Sequence, residues 1–135
     1  MTPVADFLLD IPLANGLTIS VYDHTRNYYG DYFLVKLEFV CTVTLSGSYF
    51  TDAASYDEAN VLLGNAVTYR RLVEQMGVPA TEIERVRDRL IANFMDHSLS
   101  YFSTPEFPKR FVMAQLAKCQ RVVGRSITPT NKPHA

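Results

Sequence analysis

A chain of 135 residues with 47% hydrophobic and 20% charged residues has the size and balance of a globular domain. That excludes a disordered or fibrous chain and lets a core form without disulfides or metal. Thirteen basic against fourteen acidic residues leave a net charge of −1, far from the strongly basic balance of many nucleic-acid binders, and the longest uncharged stretch, residues 39–51, is too short and too polar for a membrane span.

The opening stretch MTPVADFLLDIPLANG has no basic leader and no small-residue cleavage pattern, so a cytoplasmic protein is expected. Cys41 and Cys119 fall in different predicted elements and read as reduced thiols, Cys41 as a small core residue. Asn15-Gly16, set between apolar runs, predicts a two-residue hairpin turn, because both central positions of such a turn need positive φ. Phe7 to Leu13 is the strand before it, held to a sheet edge by Pro12, which cannot donate to a ladder. After the turn, Leu17, Ile19 and Val21 alternate with Thr18, Ser20 and Tyr22 in the period of a half-buried strand.

From Phe33 to Leu45 every second residue is apolar, which predicts a long strand with one wholly apolar face, twisted or bulged, or serving two neighbours along its course. His24 to Asp31 then form the loop between two antiparallel strands. Beyond Ser46-Gly47-Ser48 the period changes. Asp57 or Ser55 is expected to cap a helix with Leu62, Ala66, Tyr69, Val73 and Met76 on one face, ended by Gly77, although Gly64 and Val67-Thr68 oppose it and leave its first half open to an irregular reading. Thr81 with Glu84 makes a capping box for a second helix carrying Ile83, Val86, Leu90, Ile91 and Phe94. Thr104-Pro105 is the start signal of a third, striped by Val112, Leu116, Cys119 and Val123 and stopped at Gly124.

Residues 1–124 are thus expected to form a single α+β domain, a three- or four-stranded antiparallel meander with about three helices packed on one face. Residues 125–135, with two prolines and no apolar period, are expected to be a flexible tail.

The stretch YDHTRNYYGDYF is the leading place for function. Asp23, His24, Arg26, Tyr28, Tyr29 and Asp31 could make a ligand-binding loop, since tyrosines offer flat apolar faces with polar tips. Turn chemistry at Asn27, Gly30 and Asp31 explains the same residues without a ligand, with the tyrosines packed over the sheet end or a helix. Only His24, His97 and His134 could act as imidazole bases or metal ligands, and no metal-binding spacing occurs. A metal triplet of Asp23, His24 and His97 would need the fold to gather residues that the sequence separates. No serine nucleophile elbow or phosphate-cradling glycine loop is present, and Asp57-Glu58 read as helix-start acids.

Charge is unevenly spread: residues 1–60 carry net −6 and residues 61–135 net +5. Lys118, Arg121 and Arg125 form a basic stripe on the third helix, a weak nucleic-acid candidate that is better read as meeting the acidic half of this molecule or of a neighbour. The reading that results is a binding or interaction protein without catalytic machinery or cofactor, acting as a homodimer because a meander leaves edges, with a protein or small molecule as possible partner. The alternatives are a small-molecule enzyme using His24 or His97 as base, with Arg26 or a tyrosine orienting the substrate, and a nucleic-acid accessory protein.

Overall fold

The computed structural model describes the backbone of residues 6–131 and the side chains of residues 6–122. Among these, five strands and three helices follow in the order β1 (Asp6–Pro12), β2 (Thr18–Asp23), β3 (Arg26–Tyr29), β4 (Tyr32–Thr44), α1 (Ala53–Leu63), β5 (Ala66–Pro79), α2 (Ile83–Phe102) and α3 (Phe107–Asn131). The class is α+β with an antiparallel sheet. The chain forms two compact units, one of residues up to 42 with 68–105, the other of residues 43–67 with those from 106 onward.

In the first unit, β4 is the strand around which the others assemble. Ile19 pairs with Cys41, Asp23 with Leu37 and Arg26 with Leu34, so β2 and β3 keep one register and act as a single strand interrupted at His24-Thr25. The interruption leaves the ladder intact, since the His24 N–H donates to Lys36 O at 2.8 Å. Among the described residues β1 pairs only with β2, in keeping with Pro12, and β5 pairs with the other edge of β4. The meander therefore has four tiers, β1, β2–β3, β4 and β5.

Alternation along β4 buries Val35, Leu37, Phe39 and Cys41 together with Ile19 and Val21 of β2. α2 covers this face: Val86 joins Val35 and Val78 in a cluster flanked by Ile83 and Leu90, and Phe94 stacks on Phe39 with ring centroids 4.0 Å apart. Each such fully buried side chain contributes about 1.5–3 kcal/mol. Asn15 fastens the far end of α2, donating from Nδ2 to Phe102 O and Thr104 O, both at 2.8 Å.

In the second unit, α1 packs against α3. Val43, Leu45, Ala59, Val67, Phe107 and Val112 are buried, Phe107 stacks with Phe111, and the Cys119 thiol donates to Leu62 O at 3.7 Å. Both cysteines are free, Cys41 buried and Cys119 half-buried. No helix among the described residues is long and apolar enough to cross a membrane.

Several boundaries differ from the sequence reading, each for a local reason. The helix expected from Asp57 to Met76 is two elements. α1 begins at Ala53, capped by Asp52, whose Oδ1 accepts from the Ser55 N–H at 2.7 Å, so Asp57 and Glu58 lie mid-helix. It ends at Gly64, whose φ of 81° and ψ of −164° are open almost only to glycine, and β5 follows. The capping box of Thr81 with Glu84 does not form; a 3₁₀ turn, Ala80–Glu82, leads into α2 without a side-chain cap. Thr104 closes α2 rather than opening α3, its hydroxyl donating to Tyr101 O at 3.1 Å, and α3 starts at Phe107. α3 continues through Gly124 to Asn131, into the stretch expected to be a tail; residues 132–135, with His134, lie outside the described residues. At Asn15-Gly16 the loop has three residues, because Leu13 N–H donates to Leu17 O while Gly16, at φ 90°, supplies the positive φ of a bulged hairpin.

Candidate functional site

The loop expected over His24 to Asp31 is largely strand. Pairing of Asn27 with Phe33 and of Tyr29 with Tyr32 leaves only Gly30-Asp31 as the turn, and Gly30 takes φ 53°. Asn27 holds the tip, donating from Nδ2 to Gly30 O at 2.7 Å and Tyr32 O at 3.1 Å. Of the four tyrosines only Tyr22 packs as expected, half-buried against Phe7; Tyr29 is 74% exposed, Tyr32 47% and Tyr28 39%, with Arg26 and Asp31 also exposed. Turn chemistry pins the backbone of this hairpin and leaves these three side chains at the surface, with the Tyr28 hydroxyl beside Gly77.

Asp23 and His24 diverge because successive residues on a strand point to opposite faces. Asp23 shares the face of Leu37 and meets α2, where Arg87 Nη1 donates to its Oδ2 at 2.7 Å while the Thr25 N–H donates to Oδ1 at 2.8 Å. Burial pushes this carboxyl up, but the hydrogen bonds from Thr25 and Arg87 outweigh it and hold the group below the usual value.

His24 lies on the other face with Glu38, Nε2 to Oε1 at 3.0 Å. A carboxylate only accepts, so Nε2 carries the proton. Arg70 of β5 donates to the second oxygen of Glu38 at 3.1 Å. The hydrogen bond from His24 lowers the Glu38 carboxyl below its usual value, partial burial acts against it, and Arg70 adds to the lowering. Each oxygen of Glu38 is thus occupied by a donor, which makes this a clasp joining the junction of β2 and β3 to β4 and β5 rather than a poised base.

Among the described residues no three His, Cys, Asp or Glu side chains converge as metal ligands, so Asp23, His24 and His97 stay apart. The acidic and basic halves of the sequence do meet, through Asp23–Arg87 and Glu38–Arg70, so among the described residues the cations that pair come from α2 and β5 and none from the third helix. On that helix Lys118 and Arg121 are exposed, and the Arg125 side chain lies outside the described residues.

Concavity occurs elsewhere. A cavity of about 250 Å³ opens between β5 and α2, lined by Arg71, Val73, Leu90, Asn93, Phe94, His97 and Ser98. Of these only His97 is a functional candidate in the sequence, where Val73, Leu90 and Phe94 read as core positions. Its Nδ1 sits 2.8 Å from Asn93 O, and a carbonyl only accepts, so Nδ1 donates and Nε2 is left available. Arg71, exposed at the cavity mouth, lies on the α2-facing side of β5 where a helical period is expected from the sequence; the alternation Val67, Tyr69, Arg71, Val73 is its signal.

β5 is also an edge. It spans 14 residues and, among the described residues, pairs only with β4. The Leu45 N–H donates to Asn65 O at 3.0 Å, which turns the backbone groups of odd-numbered residues toward β4. By the two-residue period, Arg70, Leu72 and Glu74 turn theirs outward, and all three side chains are exposed, Leu72 at 53%. Comparison with protein-family models, curated proteins and solved structures finds no match for this chain.

Proposed function

We propose that this chain is a binding protein that works as a symmetric dimer, two copies joined antiparallel along β5. The observation that carries this reading is the long single-paired strand whose outward-facing positions read Arg70, Leu72, Glu74. Centred on Leu72, an antiparallel pairing sets Arg70 opposite the partner's Glu74 on both sides of the two-fold axis and Leu72 opposite its own copy. The segment is therefore complementary to itself in charge and shape. Strand addition would satisfy backbone groups that the edge leaves to water, the usual liability of a long edge. The exposed tyrosines Tyr28, Tyr29 and Tyr32 supply a further contact surface of the type enriched in interfaces. Two unpaired cysteines suit a reducing compartment, so the reading carries a cytoplasmic setting with it.

The test is mass by light scattering across dilution, with Leu72→Pro beside the parent chain. Proline at 72 removes an outward N–H and leaves the ladder to β4 untouched. The expected result is a parent of two chains and a variant of one. A parent that stays a single chain at every concentration, or a dimer indifferent to the proline, overturns the proposal.

A further inference from the structure

The cavity between β5 and α2 has the composition of a ligand site that neither the sequence nor the dimer reading assigns. Its floor is apolar, made by Val73, Leu90 and the buried ring of Phe94. Its rim brings together four polar side chains with unused capacity. Arg71 has no ion-pair partner among the described residues, and the Asn93 amide and Ser98 hydroxyl are likewise uncommitted. The Nδ1 bond of His97 to Asn93 O fixes its ring with Nε2 free. An apolar pocket with a few convergent polar groups is the usual form of a small-molecule site.

We propose that this cavity binds a small monocarboxylate with a compact apolar body. The sign of charge follows from the lining, which holds one permanent cation and no carboxylate. A planar guanidinium pairs with a carboxylate in bidentate fashion, whereas a phosphate dianion calls for more than the single fixed charge that Arg71 provides. Size follows from the volume: a cavity of about 150 Å³ holds benzene, so about 250 Å³ accommodates roughly ten non-hydrogen atoms. Benzoate has nine. The carboxylate would lie against Arg71, with the Asn93 amide and the Ser98 hydroxyl as further donors, and the ring over Leu90 and Phe94. This site is independent of self-association.

The experiment is a titration of the full chain followed by amide chemical shifts, using benzoate, its neutral isostere benzamide, and inorganic phosphate as probes. Saturable shifts on residues 90–98 with benzoate are expected, with benzamide and phosphate about tenfold weaker or more. Arg71→Gln, at an exposed position that folding tolerates, should weaken benzoate about tenfold. Ser98→Trp, which fills the cavity and keeps the charge, should abolish binding, while Arg85→Gln on the outer side of α2 should leave it unchanged. Shifts that do not saturate, equal binding of benzamide or phosphate, or affinity untouched by Arg71→Gln would each overturn the proposal.

Discussion

Asp23 shows how one side chain can be diverted from chemistry to architecture. Its carboxylate, only 10% exposed, accepts from Arg87 of α2 and from the backbone of Thr25, and so ties the strand end to the helix. Asp23→Asn keeps the shape and removes the charge, and the loss should be about 2 kcal/mol in a denaturant titration near neutral pH. Because the carboxyl is held below its ordinary value in the folded chain, its contribution is complete above the ordinary carboxylate range and fades as pH falls through the lowered folded value. The difference between parent and variant should therefore be widest near neutrality and close in acid. A difference that stays constant across that range would mean that the ionised carboxylate is not what holds the two elements together.

At the scale of elements, Gly64 decides where helix gives way to strand. Nothing lies within 4 Å of a Cβ built there, so the demand for glycine comes from the backbone and not from crowding. Gly64→Ala should cost about 1–3 kcal/mol by forcing that conformation on an alanine, and the thermal midpoint measures it. An unchanged midpoint would show that the chain reaches β5 by another route. The same junction explains what the sequence hides. Leu62, Ala66, Tyr69, Val73 and Met76 happen to satisfy a helical spacing across a break, while the true two-residue period of β5 is masked by Arg71 on the α2-facing side and by Gly77, whose φ of 71° falls between half-buried Gln75 and buried Val78 and shifts the alternation. β4 was legible because both its faces keep the period from Phe33 to Leu45, and α2 because Val86, Leu90 and Phe94 repeat at helical spacing over a uniform core. Turn chemistry placed Gly30-Asp31 correctly. That Glu38 would sit between His24 and Arg70, 14 and 32 positions away, or that His97 of α2 would line a cavity with Arg71 of β5, depends on elements brought together from distant parts of the chain, which local pattern does not encode.

For the whole molecule, pairs of opposite charge have two uses. Within one copy, Asp23–Arg87 and Glu38–Arg70 tie elements together. Between copies, the proposed seam places Arg70 against the partner's Glu74 twice, by symmetry. Each exposed cross-strand pair is worth about 0.2–1 kcal/mol, so removing both and adding like-charge repulsion shifts dissociation by about 1–3 kcal/mol, or roughly 5- to 150-fold. Glu74→Arg tests this without disturbing the bond between Glu38 and Arg70. The variant should dissociate at higher concentrations than the parent in sedimentation, and the defect should shrink as salt screens the opposed arginines. Adding Arg70→Glu to it restores opposite charges across the seam while sacrificing the clasp on Glu38. Self-association should then recover even as each folded copy loses stability. Recovery of one with loss of the other is an outcome that general destabilisation cannot produce, because a weakened fold would lower both together. If the doubly substituted chain instead stays dissociated, Arg70 and Glu74 do not face one another across a two-fold axis.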